Sequence, residues 1–99
     1  MRKETKATKI PEKVKKAVWA RDGGRCVVCL RTGNPWCHFI PRSQGGLGIE
    51  ENIVTLCDKC HNDFDQTEKR KHMQAYIRWY LKMKYPDWDE TKLVYKKGM

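Results

Sequence analysis

Two cysteine pairs limit what this chain can fold around. Cys26-Val27-Val28-Cys29 and Cys57-Asp58-Lys59-Cys60 use four of the five cysteines. The two-residue spacing lets both sulfurs of one knuckle converge on a single ion, and two such knuckles make a four-thiolate, tetrahedral site for structural zinc. Disulfides are the competing use of the same residues. The odd cysteine count argues against them, as does a charged N-terminus with no apolar stretch behind it, where no signal peptide is expected. A metal staple also answers a need. The chain has 99 residues, of which 39% are hydrophobic and 33% charged, so its core alone would be marginal. No apolar run approaches the roughly 18–20 residues of a membrane span.

Charge is the second constraint. Twenty-one Lys and Arg against twelve Asp and Glu give a net charge of +9. Residues 1–25 carry nine basic and three acidic side chains, residues 66–99 nine and four, and residues 26–65 three and five. Basic flanks around a slightly acidic centre suggest polyanion-binding surfaces framing a site that holds cations. Solvated helix faces are the plainer reading of the same lysines.

Residues 1–9 lack apolar periodicity and are expected to form a basic flexible arm, with residues 10–99 as one domain. Pro11 suits the first turn of a helix, Val14, Ala17 and Val18 recur at helical spacing, and Gly23-Gly24 ends it. Residues 32–35 read as a turn. Trp36-Cys37-His38-Phe39-Ile40 has the composition of a short strand stopped by Pro41; alternation puts Cys37 and Phe39 on one face, and Trp36, His38 and Ile40 on the other. A loop with Gly45, Gly46 and Gly48 precedes a second β-prone run, Ile53-Val54-Thr55-Leu56, and a short helix is expected from Asp58 to about Phe64. A longer helix is expected over about 67–84. Its buried face would be Met73, Tyr76, Ile77, Tyr80 and Leu81, and Pro86 would close it. The tail, with Trp88, Leu93 and Tyr95, is expected to pack back on the core. Trp19, Trp79, Trp88 and the tyrosines read as core rather than as base-stacking platforms.

His38 on the first strand, Asn52 entering the second and His61 directly after the last zinc cysteine stand out inside this frame. With the text Cys37-His38-Phe39-Ile40-Pro41-Arg42-Ser43-Gln44-Gly45-Gly46, then Glu51-Asn52-Ile53-Val54-Thr55-Leu56-Cys57-Asp58-Lys59-Cys60-His61, the chain closely resembles the HNH endonuclease family over roughly residues 12–66. It looks most like the short, zinc-stapled members from bacteriophages and prophages. The resemblance implies an α+β, ββα-metal (His-Me finger) core over residues 26–65, with a four-cysteine zinc site and flanking helices. It also implies a divalent-metal active site and hydrolysis of DNA phosphodiesters to 5′-phosphate and 3′-hydroxyl ends.

By the same resemblance His38 is the general base, a role for which an imidazole with an ordinary pKa near 6.5 is chemically suited. His61 would ligate the catalytic ion: Mg2+, Mn2+, Ni2+ or Zn2+. Asp65, one helical turn on, would complete the ligand set; alternatively Asp65 and Glu68 form a capping box for the long helix. By the resemblance Asn52 would steady the loop that carries His38 or, as in some members, contact the metal; a plain turn residue is the other reading. Cys37 departs from the family pattern. It is either a further metal ligand or a buried small hydrophobe. Arg42 is a candidate phosphate clamp or else a solvated loop arginine. Lys13, Lys15, Lys16, Arg21, Lys69, Arg70 and Lys71 are candidates for contacts to the DNA backbone.

The leading expectation is a metal-dependent DNA endonuclease acting as a monomer or homodimer in the cytoplasm of a bacterial or phage-infected cell. A terminase or other packaging protein is the partner that the resemblance implies. The alternatives are a zinc-ribbon-like nucleic-acid-binding module without catalysis, and a structural adaptor. The binding module would not need His38, Asn52 and His61 together, and the adaptor would show neither tight DNA binding nor a second metal.

Overall fold

The computed structural model describes residues 8–66 and 68–94, except for the Gln66 side chain. Pro11, with its fixed φ of −65°, opens helix α1 over Glu12–Arg21. Strand β1, Asn34–His38, pairs antiparallel with β2, Ile53–Leu56, with Cys37 opposite Val54 and His38 opposite Ile53. Helix α2, Asp58–Gln66, begins just past β2, and helix α3 covers Arg70–Lys84. Single 3-10 turns lie at Arg42–Gln44, Glu50–Asn52 and Glu90–Lys92. The fold is α+β, with a ββα unit formed by β1, β2 and α2. No helix among the described residues is long and apolar enough to cross a membrane.

All four residues of β2 are buried because the sheet is covered on both faces. Ile53 packs on Val14 and Val18 of α1. Val54 and Leu56 face the main core with Cys37 and Phe39 of the β1 segment, Phe64 of α2, and Met73, Ile77 and Leu81 of α3. The alternation expected over residues 36–40 is therefore present: Cys37 and Phe39 are buried, whereas Trp36 is exposed. The tail returns as expected through Trp88 and Leu93. Trp88 meets the Phe39 ring edge-on at 5.8 Å and donates to the Glu51 carbonyl at 2.7 Å. Tyr95 lies outside the described residues, as do residues 1–7.

Several expectations need correction. Strand β1 begins at Asn34, so Asn34 and Pro35 belong to it rather than to the turn. The long helix starts at Arg70, and Asp65 lies inside α2, so Asp65 and Glu68 form no capping box. Arg70 folds back instead, donating to the Phe64 carbonyl at 2.8 Å and lying 4.5 Å over the Phe64 ring, which holds the end of α2. Trp19, Trp79 and Tyr76 are exposed, not core. Thr8, expected in a flexible arm, is packed at only 2% exposed, and the backbone carbonyl of exposed Lys9 lies close against Gly48.

Arg21 is a structural hub. Its guanidinium pairs with Asp22 at 2.7 and 3.0 Å and donates to the Glu50 and Ile53 carbonyls and the Tyr85 hydroxyl. The Asp22 carboxylate also accepts from the Thr55 backbone N–H at 3.0 Å and from the Tyr80 hydroxyl. This network ties α1 to β2 and to the end of α3. Burial costs the charged guanidinium solvation, but the hydrogen bond and charge of Asp22 outweigh it and hold Arg21 above its ordinary pKa. With its donors engaged inside the fold, Arg21 is not placed to clamp DNA.

Candidate metal centre and active-site cleft

The two cysteine pairs come together as their spacing requires. Cys26 and Cys29 lie in the loop after α1; Cys57 and Cys60 lie at the junction of β2 and α2. Their four sulfurs are within 4.8 Å of one another, with Cys29 and Cys57 at 3.5 Å. A tetrahedral Zn–S distance of about 2.3 Å gives a sulfur–sulfur edge of about 3.8 Å, so the cluster fits zinc. The backbone supports thiolates here. The N–H of Cys29 points at the Cys26 sulfur (3.5 Å) and that of Cys60 at the Cys57 sulfur (3.4 Å). Burial, then hydrogen bonds with neighbouring thiols, push the Cys60 thiol up, so its thiolate calls for a cation in the cluster.

This centre fixes the start of α2. The His61 N–H donates to the Cys57 carbonyl at 2.8 Å, closing the first turn of the helix on the knuckle itself. Cys60 and Phe64 take the buried stripe of the helix, which leaves His61 and Asp65 together on the adjacent face. The His61 Nε2 lies 3.4 Å from the Asp65 Oδ2.

Across from α2, His38 ends β1. Both histidines and Asp65 line an open cleft of about 510 Å³, together with Lys9, Ile10, Lys15, Trp36, Pro41, Arg42 and Ser43. The His38 Nε2 is 2.8 Å from the Thr8 carbonyl oxygen. A carbonyl only accepts, so Nε2 donates and the neutral ring carries its lone pair on Nδ1. Burial lowers the His38 pKa; the Arg42 and His61 charges lower it further, against the Thr8 carbonyl, which raises it. His38 is therefore held neutral at physiological pH.

Asn52 does not face the cleft. It is fully buried and closes the loop between β1 and β2. Its Oδ1 accepts from the Ile40 N–H at 2.9 Å, and its Nδ2 donates to the carbonyls of Ile40 (3.2 Å) and Leu47 (2.9 Å). Its own carbonyl accepts from the Phe39 N–H at 2.7 Å. The residue after His38 and the far side of the loop are thus tied to one residue. Gly46 makes this loop possible, because a Cβ there would sit 1.7 Å from the Ile40 carbonyl oxygen.

Cys37 points the other way. It is 1% exposed in the main core, and burial pushes its thiol well up. It is packed as a small apolar side chain and contributes nothing to the cleft. Among the expected cationic contacts, Arg42 and Lys15 line the cleft. Lys16 lies in a neighbouring groove, while Lys13, Lys69, Arg70 and Lys71 do not line the cleft. Sequence reasoning missed Thr8 and Trp36. Nothing local marks Thr8; alternation puts Trp36 on the outward strand face with His38 but assigns it no role.

Comparison with known proteins fits this geometry. The family model described as HNH endonuclease matches residues 26–65, the stretch from the first zinc cysteine to Asp65. A type IV methyl-directed restriction enzyme, EcoKMcrA of Escherichia coli (strain K12), is 36% identical over 47 residues, which is 44% of this chain and 17% of that enzyme. The chain thus spans only a small part of that relative. Anaredoxin of Nostoc sp. (strain PCC 7120) is 33% identical over 58 residues, 57% of this chain and 76% of that protein. No solved structure matches the chain. Residues 26–65, which supply the four zinc cysteines and His38, Arg42, His61 and Asp65 of the cleft, belong to the HNH endonuclease family.

Proposed function

We propose that this chain is a metal-dependent nuclease that hydrolyses DNA phosphodiester bonds, with His38 as the proton acceptor. The observation that carries the reading is the meeting of His38, His61 and Asp65 on one open cleft. Asn52 locks the loop between the strands behind it. An imidazole and a carboxylate one helical turn apart, with Cys37 turned away, form a nitrogen–oxygen donor pair that suits a divalent ion with positions left for water and phosphate. Such an ion would supply positive charge opposite the phosphate and the departing oxygen.

The residues of the chain do the rest. Neutral His38 takes a proton from the attacking water on Nδ1. The new P–O bond forms as the bond to the 3′ oxygen breaks, and that oxygen takes a proton from solvent, leaving 5′-phosphate and 3′-hydroxyl ends. Arg42 and Lys15 on the cleft wall hold the phosphate oxygens. The Arg42 charge has a second effect, since it keeps His38 unprotonated and ready.

Supercoiled plasmid incubated with the zinc-loaded protein and Mg2+, Mn2+ or Ni2+ tests this directly. Ion-dependent nicks that DNA ligase reseals are the expected result. Salt-sensitive retention of plasmid without cleavage under any ion would refute hydrolysis and favour a zinc-ribbon-like binding module.

A further inference from the structure

Two tryptophans stand out of the fold next to the cleft. Trp36 is 51% exposed and Trp19 53%, although indole side chains are on average well buried. They line a shallow groove with Glu12, Lys15, Lys16 and Pro35. Trp36 and Lys15 also line the cleft, so groove and cleft share a wall. Trp36 lies two residues before His38 in β1, and both side chains line the cleft. A strand with a phosphate at His38 therefore has Trp36 within the same cleft and Trp19 in the adjoining groove.

Backbone at Gly24 sets the pose of one of these rings. Gly24, at φ +70°, lies under Trp19: a Cβ there would come within 2.6 and 2.8 Å of the indole carbons. The absence of a side chain lets the ring rest against backbone, which fixes its orientation before any ligand arrives. Lys15 and Lys16 set positive charge beside the rings, with Glu12 3.6 Å from the Lys15 amine.

Resting on the nuclease reading above, we infer that this groove is a stacking platform for an unpaired DNA strand, so that the preferred substrate carries single-stranded DNA next to the scissile phosphate. The chemistry selects that occupant. In a duplex, each base face is covered by its neighbours and only edges and phosphates reach the surface. An exposed indole gains from a base only where the base is unstacked, and adjacent lysines then hold the backbone. Phosphate contacts alone would make no such distinction.

The test measures binding of a fluorescein-labelled single strand and its duplex by anisotropy, without added cleavage ion, using the full zinc-loaded chain. Wild type is expected to prefer the single strand. Trp36→Leu and Trp19→Leu should each weaken that binding by about 5- to 150-fold. For Trp19→Leu, whose position lies off the cleft, duplex affinity and the salt dependence of binding should be unchanged, because no phosphate contact is lost. Trp36→Phe should retain most of the preference. Zinc content and far-UV circular dichroism check that each variant is folded. Equal loss on single strand and duplex, or no loss on the single strand, overturns the platform. So does self-association through the groove that the double variant abolishes while strand binding persists. Plasmid nicking by wild type without a single-strand preference overturns the platform alone. A single-strand preference lost in the leucine variants, with no cleavage by wild type, supports the platform and overturns the nuclease reading.

Discussion

Asn52 gives the sharpest energetic prediction. Its side chain makes three hydrogen bonds from a fully buried position, to the Ile40 N–H and to the Ile40 and Leu47 carbonyls. Each contributes about 1 kcal/mol net, so Asn52→Ala should cost about 3 kcal/mol, and more where the abandoned groups stay dry. A chain of this length has a total stability of about 5–15 kcal/mol, so this is a large share of it. Urea unfolding at fixed excess zinc measures it, since free zinc must be equal in both samples. With a urea slope near about 1.5 kcal/mol/M, the midpoint should fall by about 2 M. Asn52→Asp sharpens the test. It keeps the acceptor for the Ile40 N–H but turns the second oxygen toward two carbonyls, so at pH 7 it should cost at least as much as alanine. A loss below about 1 kcal/mol in Asn52→Ala, or a milder effect in Asn52→Asp, would refute the clamp.

Further outcomes rest on the same geometry. Gly46→Ala would place a Cβ 1.7 Å from the Ile40 carbonyl oxygen and 2.9 Å from that of Pro41; thermal unfolding should show a loss of about 2–4 kcal/mol. Gly23→Ala meets nothing within 4 Å and is strained only by φ +68°, so about 1 kcal/mol is expected there. Chelation should unfold the protein cooperatively by circular dichroism, because Cys26, Cys57 and Cys60 are part of the main core and structural zinc contributes on the order of 10 kcal/mol; a folded, zinc-free chain would contradict this. Cleavage rate should rise with pH along a limb centred below the ordinary imidazole value near 6.5, and Arg42→Ala should move that limb upward. The unfolded chain binds a proton at His38 more readily than the folded one. Stability from this group is therefore present above the ordinary imidazole range and is lost as pH falls through the lowered folded value.

The legible parts of the sequence are local. Cysteine spacing, strand alternation at residues 36–40 and the run Ile53–Leu56 each carry their information within a few residues, and each matches the structure. Burial of Arg21 has no such signal. It looks like one more cation on a lysine-rich helix, yet its partners Glu50, Ile53 and Tyr85 are 29 to 64 residues away. The break between α2 and α3 contains neither glycine nor proline; it is held by Arg70 against the Phe64 ring and carbonyl, a contact with no local signature. Trp19 departs from expectation because aromatic content suggests core, whereas its position one residue past Val18 turns it off the buried stripe of α1. Thr8 belongs to a segment whose charge pattern suggests only solvent, and its backbone carbonyl, which orients His38, has no sequence signal at all.

The central claim is that His38 accepts the proton in metal-dependent cleavage of DNA. The most direct test compares nicking of supercoiled plasmid by wild type and His38→Ala, both folded and carrying one zinc, at saturating Mn2+. Removal of a general base should slow the variant by about 100-fold or more while leaving plasmid binding intact. Equal cleavage by the two proteins would contradict the assignment of His38.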